Sequence, residues 1–383
     1  MFQRATNILK SNSFFLFGAR GTGKTTYLEE QFIDQEAIYL NLLENEIYSK
    51  LQANPDYLIQ IISQQNKPWC IIDEIQRVPE LLNTIHLLIE KHKQKFGLTG
   101  SSARKLKRSG TNLLAGRAYV YKMFPLTHRE LGVKFNLIEQ LQYGSLPKIF
   151  SIDSHREKLL YLRSYTETYL REEIAIEQII RKLPPFRRFL GISAHQDTEL
   201  VSYSNIGRDV LVDPKIISNY YSVLEDTLLG FFLEPFHTSI RKRQGKTSKF
   251  YWFDLGVRRS LSCTVDSAVT PSSFEFGSLF ESYVVNEIFR LLTYSEKDFK
   301  LSFLRVDDNQ EIDLVLERPG EKLCLIEIKS TSNIHEGHVK NLKVFGKSFQ
   351  DAKKVVLSLD NTSRLIEGIS CHHWQMGLRE LNI

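Results

Sequence analysis

Five short apolar runs mark residues 1–150, and helix-like stretches separate them. The runs are rich in aromatic and β-branched residues, and polar or glycine-containing segments bound them. They read SFFLFG, EAIYLNL, PWCIIDE, KFGLTGS and AYVYKMF. Strands that alternate with helices are typical of a parallel sheet covered by helices. The pattern therefore predicts an α/β core for residues 1–150.

Residues 151–265 have a mainly helical pattern. Two helical stretches in this region are separated by VLVDP, a spacing typical of a helix-turn-helix. A segment of small and polar residues, SCTVDSAVTPSSFEFG, marks a boundary near residue 265. Residues 266–383 predict a helix, three strands, a second helix and a last strand, so this region is again α/β. The sequence thus predicts three domains, over residues 1–150, 151–265 and 266–383.

The composition is that of an ordinary globular protein. Of the 383 residues, 42% are hydrophobic and 25% are charged, and the net charge of +5 permits nucleic-acid binding without arguing for it. No stretch of about 18 uncharged apolar residues occurs, so neither a transmembrane helix nor a membrane partner is expected. The four cysteines lie far apart, and no secretory signal pattern precedes the first strand. These features predict a cytoplasmic protein with reduced thiols.

The first apolar run leads into a glycine-rich turn with the phosphate-binding pattern G-x-x-x-x-G-K-[ST]. In such a loop the backbone N–H groups wrap phosphates, and the following helix adds its positive N-terminal end. Lys24 is predicted to reach the β- and γ-phosphates of ATP, and Thr25 to bind Mg²⁺ through its hydroxyl. A chance glycine-rich turn is the weaker alternative, because the pattern lies between a predicted strand and a predicted helix. The predicted nucleotide-binding residues of this loop are Gly18, Ala19, Arg20, Gly21, Thr22, Gly23, Lys24, Thr25 and Thr26.

A pair of acids supports the same site. Asp73 and Glu74 stand at the end of the third apolar run, and ligands of open parallel sheets bind at the carboxyl ends of the strands. Asp73 is predicted to bind the Mg²⁺ shell and Glu74 to polarise the attacking water. Acids at a strand end are common on surfaces, but a phosphate-binding pattern about 50 residues upstream makes this pair a strong signal.

Two further positions have open alternatives. Thr99 or Ser101 would contact the γ-phosphate or the water as a sensor residue, or would form only a Ser/Thr turn. Arg117 precedes the fifth run and would reach the γ-phosphate of a neighbouring subunit, or would be solvated. The first role of Arg117 implies a homo-oligomer.

Four motifs together resemble a large family of prokaryotic AAA+-type ATPases that carry a C-terminal domain of unknown function. They read FGARGTGKTT, IIDEIQRVPELL, LTGSSARKLKRSGTNLLAGRA and FPLTHREL, and the similarity continues through VLEDTLLG, KFYWFDLG and LIEIKSTS. The resemblance implies an AAA+-like ATPase core, a helical lid with a winged-helix-like middle domain, and a nuclease-like C-terminal domain. It also implies that Lys24, Thr25, Asp73 and Glu74 form the ATP site and that Arg117 is an arginine finger.

The helix-turn-helix region offers candidate DNA contacts. Its second helix is predicted to begin at Pro214, with Lys215 facing solvent as groove reading requires. Helical spacing predicts a core face of Ile216, Ile217, Tyr220, Val223 and Leu224. The turn that follows could neutralise several DNA phosphates, or could be merely solvated in a fold that contacts protein. Its basic residues are Arg241, Lys242, Arg243, Lys246 and Lys249.

The C-terminal region carries a second possible chemistry. Glu327 and Lys329 point to one face of a strand, Asp313 lies in the preceding strand, and Glu281 lies on an apolar stripe of a helix. The three carboxylates could hold Mg²⁺ or Mn²⁺, while Lys329 activates water or stabilises developing charge. The arrangement resembles that of PD-(D/E)xK nucleases, with Glu281 matching their helix carboxylate and with no proline before Asp313. Such domains also occur in catalytically inactive form, so cleavage stays an open alternative.

The sequence therefore predicts a Mg²⁺-dependent ATPase that acts on DNA, with ATP and Mg²⁺ as cofactors. In one version the C-terminal domain cleaves phosphodiesters with a second metal ion. In the alternative the protein is a nucleotide-gated regulator or scaffold whose C-terminal domain only binds DNA or a protein partner.

Overall fold

The computed structural model divides the chain into two units. It describes residues 2–32, 37–102, 106, 114, 116–169, 183–237, 247–307 and 310–383. The first unit comprises Met1–Glu130, Leu146–Ser151 and Ser222–Leu229. The second comprises Leu131–Ser145, Ile152–Tyr221 and Gly230–Ile383. The division into three domains stays a prediction.

A five-stranded sheet organises the described part of the first unit. Its strands are β1 (Ser13–Phe17), β2 (Ala37–Asn41), β3 (Trp69–Asp73), β4 (Lys95–Gly100) and β5 (Ala118–Lys122). They are ordered β2-β3-β4-β1-β5, and each neighbouring pair is parallel. The five apolar runs thus form the five strands, which confirms the predicted parallel sheet. The helices of this unit are α1 (Lys24–Phe32), α2 (Asn45–Ala53), α3 (Tyr57–Gln65), α4 (Leu81–His92) and α5 (His128–Leu131).

Both faces of the sheet are buried at its central strands β1, β3 and β4, which explains why these strands read as continuous apolar runs. In β1, Phe15 and Phe17 pack into one hydrophobic cluster, and Phe14 and Leu16 pack into another. Successive side chains of a strand point to opposite faces, so a strand covered on both sides has no polar alternation.

The register brings three strand ends to one edge. Phe17 of β1 pairs with Gly100 of β4, and Ile72 of β3 pairs with Leu98 of β4. Strand β4 therefore lies between β1, which leads into the glycine-rich turn, and β3, which ends in Asp73. This order places Thr99 beside both chemical motifs.

The second unit contains a mixed sheet, with eight strands in the described ranges. Its strands are β6 (Gly230–Pro235), β7 (Lys249–Trp252), β8 (Lys300–Asp307), β9 (Gln310–Glu317), β10 (Cys324–Lys329), β11 (Lys353–Ser358), β12 (Arg364–Ile366) and β13 (Ile369–His373). Their order is β12-β13-β11-β10-β9-β8-β6-β7. Strands β6 and β7 form an antiparallel pair, and β6 joins β8 in parallel. A hairpin that precedes residue 265 is thus continuous with the sheet of residues 266–383.

The remaining helices follow in the chain. They are α6 (Leu137–Tyr143), α7 (His155–Ser164), α8 (Leu183–His195), α9 (Tyr203–Val210), α10 (Pro214–Asp226), α11 (Leu255–Leu261), α12 (Phe276–Tyr294), α13 (Lys340–Gly346) and α14 (Trp374–Glu380). Of this set, α12, α13 and α14 contact strands of the second sheet. The longest of these, α12, buries Phe280, Val284 and Ile288 in one cluster with Leu314 and Ile326 of the sheet. A carboxylate on α12 that faces the same way is therefore held against the strands.

The two helices predicted on either side of VLVDP are present as α9 and α10, and their role as a helix-turn-helix stays a prediction. The chain leaves α9 through Leu211, whose φ is +61°, and Pro214 begins α10. Ile217, Tyr220, Val223 and Leu224 are buried as predicted, but the prediction for Ile216 is wrong. Its side chain is 39% exposed, because it lies in the first turn on the solvent side.

In the part of the chain that the structure describes, no helix combines the length and the apolar character needed to cross a bilayer.

We expect Gly97→Ala to destabilise the first unit. A Cβ atom at Gly97 in β4 would lie 2.6 Å from both Ile71 Cδ1 and Phe14 Cζ, between the two strands that carry the site. Overpacking of this kind costs about 1–3 kcal/mol. Urea denaturation measures the loss. Gly191→Ala in α8 is the control, since its Cβ would make only an ordinary 3.6 Å contact and alanine favours a helix. Equal stability of Gly97→Ala and the wild type would contradict the expectation.

Candidate functional site

The glycine-rich turn closes tightly between β1 and α1. Gly21 and Gly23 have φ of +76° and +93°, a region that side-chain-bearing residues rarely adopt. At Gly18 a Cβ atom would lie 2.4 Å from the carbonyl oxygen of Met123. The loop conformation therefore requires glycine at these positions, and the loop leads directly into the N-terminus of α1.

Lys24 is held inside this loop. Its side chain is buried, and Nζ donates hydrogen bonds to the carbonyl oxygens of Gly18 at 2.6 Å and Ala19 at 3.3 Å. The ammonium group is thus fixed where the loop curves. Phosphate oxygens would be stronger acceptors for it than the two carbonyls.

Asp73 joins the two predicted motifs. Its Oδ2 accepts hydrogen bonds from the hydroxyls of Thr25 at 2.8 Å and Tyr39 at 3.0 Å. Its Oδ1 accepts one from the hydroxyl of Thr99. Burial and the adjacent Asp73 charge raise the pKa of Tyr39, so this phenol stays a donor. Sequence reasoning missed Tyr39, although its position in β2, next to β3, was a signal.

The donor set at Thr25 and Asp73 fits a magnesium ion. A hydroxyl oxygen and a carboxylate oxygen lie side by side, and Mg²⁺ favours hard oxygen ligands together with water and phosphate. Asp73 is only 3% exposed, so its carboxylate is shielded from solvent at the end of β3.

Glu74 has an unusual backbone. Its φ and ψ are 62° and 44°, a left-handed conformation that is strained for a residue with a side chain. The Glu74 N–H donates to Thr99 Oγ1 at 3.2 Å, and the amide of Gln76 donates to the Glu74 carboxylate. Gln76 also donates to Ser101 Oγ at 3.2 Å. Thr99 therefore contacts both acids directly, whereas Ser101 reaches Glu74 only through Gln76.

Arg117 lies away from the site of its own chain. It immediately precedes β5, whose Ala118 pairs with Ser13 at the start of β1. The glycine-rich turn follows the other end of β1, so Arg117 stands at the opposite edge of the sheet. Its guanidinium forms an exposed ion pair with Glu90 of α4. A role in the site of a neighbouring subunit stays a prediction.

Arg4 contacts the glycine-rich turn and stabilises it, and the sequence analysis did not identify this residue. Its guanidinium donates to the carbonyl oxygen of Thr22 at 3.0 Å and forms a 2.9 Å ion pair with Glu130. The Arg4 and Glu130 side chains are only 6% and 2% exposed. Glu130 also accepts hydrogen bonds from the N–H groups of Ala5 and Thr127 at 2.8 and 2.7 Å. No local sequence pattern indicates this pair, because its partners are far apart in the chain.

The second unit brings the four predicted C-terminal residues together. Glu327 Oε1 accepts from Lys329 Nζ at 2.6 Å, and Asp313 Oδ2 accepts from the N–H of Ile328 at 2.6 Å. Glu281 on α12 accepts from the hydroxyl of Tyr251 at 2.9 Å. We call Glu281, Glu311, Asp313, Glu327 and their basic partners Lys249, Arg305 and Lys329 the acidic cluster.

Lys249 corrects one prediction. The sequence placed it in an exposed basic turn, but it begins β7 and is only 5% exposed. Its Nζ lies 3.7 Å from a carboxylate oxygen of Glu281 and forms a closer ion pair with Glu311. A charged residue at the start of an otherwise apolar strand, KFYW, was the signal that pattern reasoning passed over.

Proton affinity in the acidic cluster is high. Burial raises the pKa of Glu281 to about 7, and Asp313 adds to the shift. Burial and Asp313 raise the pKa of Glu327 to about 8, and burial also raises that of Asp313. These carboxyl groups therefore hold protons at higher pH than exposed acids do.

The acidic cluster does not match a ready metal site. Within the described ranges, no three His, Cys, Asp or Glu side chains come together so that they could hold a metal ion. Glu281 is engaged by Tyr251 and Lys249, and Glu327 by Lys329. The metal-binding role of Glu281, Asp313 and Glu327 therefore receives no support from this geometry.

Of the candidate DNA contacts, Lys215 lies exposed in the first turn of α10, next to Asp213. The other candidates, Arg241, Lys242, Arg243 and Lys246, lie outside the described residues.

Residues 10–132 match the family model of an AAA domain. Residues 134–268 and 276–374 match two models described as domains of unknown function, DUF8612 and DUF4143. An uncharacterized protein of Mycobacterium tuberculosis is 26% identical over 321 residues, which cover 83% of this chain and 70% of the relative. An uncharacterized protein of Haemophilus influenzae is 25% identical over 349 residues and 83% of each chain.

These matches confirm the coarser part of the resemblance. The AAA domain and the five-stranded parallel sheet support an AAA-like P-loop ATPase core that binds a nucleotide. The nuclease-like nature of the C-terminal region is not tested by them.

We expect Glu130→Gln to destabilise the first unit strongly. The change leaves the buried Arg4 guanidinium without its carboxylate, and breaking a buried pair costs about 3–5 kcal/mol. Chemical denaturation, together with ATP titration calorimetry, measures the loss of stability and of nucleotide affinity. Glu90→Gln is the matched control, because it breaks the exposed ion pair with Arg117 and should leave stability unchanged. Equal stability of the two variants would show that Arg4 does not brace the loop.

Proposed function

We propose that this protein is a Mg²⁺-dependent ATPase that couples ATP hydrolysis to an interaction with DNA. The observation that carries the ATPase is the 2.8 Å hydrogen bond between Thr25 and Asp73, which lie 48 residues apart in the chain. It joins the first turn of α1 to the end of β3, the two segments that must meet for a nucleotide and its metal ion to be held together.

The loop residues bind the triphosphate. The amides of the glycine-rich turn surround the phosphates, and Lys24 exchanges its carbonyl acceptors at Gly18 and Ala19 for β- and γ-phosphate oxygens. Thr25 and Asp73 would hold Mg²⁺, which supplies charge neutralisation between the β- and γ-phosphates. Arg4 keeps the loop in place through the carbonyl of Thr22.

Glu74 orients and polarises the water that attacks the γ-phosphate. Its carboxylate is positioned by the Gln76 amide, and its backbone by the Thr99 hydroxyl. Thr99 also donates to Asp73, so one hydroxyl links the metal-binding acid and the water-polarising acid. This geometry favours Thr99 over Ser101 as the sensor of the γ-phosphate. Arg117 would act on the ATP of a neighbouring subunit in a homo-oligomer.

DNA is the proposed partner of the helix-turn-helix. Lys215 is exposed at the beginning of α10, where a groove-reading helix makes its contacts. The basic turn at Arg241, Lys242, Arg243 and Lys246 would add phosphate contacts, and a winged-helix-like domain is the proposed frame for both.

For the C-terminal region we favour the non-cleaving alternative. The contacts of the buried Lys249 ammonium with Glu281 and Glu311, which the nuclease arrangement does not include, favour this alternative. In this version ATP binding sets the conformation, and the PD-(D/E)xK-like region binds DNA or a protein partner. Plasmid nicking in the presence of Mg²⁺ or Mn²⁺ that disappears in Lys329→Ala would instead establish the nuclease.

We expect Glu74→Gln to lower ATP turnover by about 10²- to 10⁴-fold while ATP binding is retained, because a general base contributes rate acceleration of that order. A phosphate-release assay with and without single- and double-stranded DNA measures turnover, and calorimetry measures binding. Lys24→Ala should lose both. Glu80→Gln, an exposed residue that precedes α4, is the charge-matched control and should behave as wild type. Wild-type turnover in Glu74→Gln would remove the proposed role of Glu74.

We expect Lys215→Ala to weaken double-stranded DNA binding and to reduce the slope of log affinity against log salt by about 0.9, the value for one phosphate contact. Fluorescence anisotropy over a salt series measures both quantities. Lys322→Ala, at another exposed lysine of the second unit, is the control. An unchanged slope, or DNA affinity without salt dependence in the wild type, would contradict the proposed DNA contact.

A further inference from the structure

The acidic cluster already contains the cations that balance it. Its acids are Glu281, Glu311, Asp313 and Glu327, and its bases are Lys249, Arg305 and Lys329. Five elements contribute to it, namely β7, α12, β8, β9 and β10. Apart from Glu327 and Lys329, which are two residues apart, the charges are matched by the fold rather than by neighbours in the chain.

Lys249 has the central place among these bases. Its side chain is only 6% exposed, and its ammonium contacts the carboxylates of both Glu281 and Glu311. The ring of Phe303 lies on another side, 5.5 Å from Nζ to the ring centroid. Tyr251, two residues further along the same face of β7, fixes Glu281 through its hydroxyl.

The charge on Lys249 persists despite burial. Burial lowers the pKa of a lysine, but Glu281 and Glu311 outweigh it here and raise the pKa of Lys249 above its ordinary value. An uncompensated carboxylate at this depth would be costly, so the ammonium stabilises the ionised acids around it.

The ligands that a divalent ion would need are engaged by this arrangement. Mg²⁺ requires several oxygen ligands near octahedral positions, and Mn²⁺ accepts similar ligands. Glu281 lies against Lys249, one oxygen of Glu327 lies against Lys329, and Asp313 accepts a backbone N–H. The second oxygen of Glu327 is buried with no partner among the described residues. The contacts described here occupy one oxygen of each of these three acids, and no three acids among the described residues come together so that they could hold a metal ion.

We propose that the Lys249 ammonium is the resident cation of the acidic cluster, in the place that the sequence-based interpretation gave to a divalent metal, and that the native cluster binds no such metal. The inference extends the proposed non-cleaving role of the C-terminal region. Removal of the ammonium would leave Glu281 without its lysine partner and Glu311 with Arg305 alone among the bases of the cluster. A hard divalent ion is the natural replacement, so the cluster is a latent metal site.

The test is a Mn²⁺ titration of the full chain without nucleotide, followed by electron paramagnetic resonance. All proteins carry Asp73→Asn, which removes the metal ligand of the ATP site. The parent should show no saturable site that depends on Asp313. Lys249→Met should gain one, with affinity at least tenfold above the parent, and adding Asp313→Asn should abolish it. Lys249→Arg keeps the cation and should behave as the parent.

Two results would overturn the proposal. One is saturable Mn²⁺ binding by the parent that Asp313→Asn removes. The other is a folded Lys249→Met variant, judged by circular dichroism, that gains no Mn²⁺ site. If Lys249→Met does not fold, the comparison of the parent with Asp313→Asn still decides. ATP turnover and plasmid nicking by the chain with Asp73 intact are separate assays, so failure of the ATPase or of the non-cleaving role is distinguishable from failure of this inference.

Discussion

One buried carboxylate, that of Asp73, ties together the elements of the first unit. It accepts hydroxyl hydrogen bonds from Thr25 beyond β1, Tyr39 on β2 and Thr99 on β4, while it ends β3 itself. A carboxylate that is 3% exposed would be strongly destabilising without such donors. Each of the three hydroxyls is an uncharged donor, so the negative charge of Asp73 remains available for a cation, which we propose to be the Mg²⁺ ion that is bound with a nucleotide. The parallel register makes this possible, since it alone brings the four segments to one edge.

The features that could be predicted from the sequence are those written in local patterns. The five strands follow from apolar runs bounded by polar segments, and the phosphate-binding turn follows from the spacing of Gly18, Gly23 and Lys24. The pairing of Asp73 with Thr25 followed from general knowledge of parallel sheets rather than from either residue alone. The contact of Arg4 with Glu130 could not be found in this way, because it spans more than a hundred residues and the FPLTHREL motif, which contains Glu130, does not indicate its partner.

In the second unit, too, the sequence indicated buried charges but not the residues that pair with them. Glu327 and Lys329 in an apolar strand indicated correctly that charge is buried there. What balances that charge depends on tertiary contacts, and the sequence-based interpretation supplied a metal ion because the contacts of Lys249 with these acids cannot be read from the sequence. Lys249 comes from a hairpin that precedes α12 by more than twenty residues, and only the pairing of β6 with β8 carries it to the acids. Hydrophobic patterns with a period of 2 or 3.6 residues indicate which residues are buried, but they do not indicate which residues contact one another.

The left-handed backbone of Glu74 has a consequence for how this chain can vary. A strained conformation persists only while its surroundings enforce it, here the hydrogen bond to Thr99 and the packing of β4 between β1 and β3. The direction of the carboxylate thus depends on the packing of the strands as well as on the residues of the site itself. Substitutions deep in the sheet could therefore abolish the proposed ATP hydrolysis in a chain whose signature motifs are all intact. The presence of the motifs alone is thus a poor guide to which relatives would hydrolyse ATP.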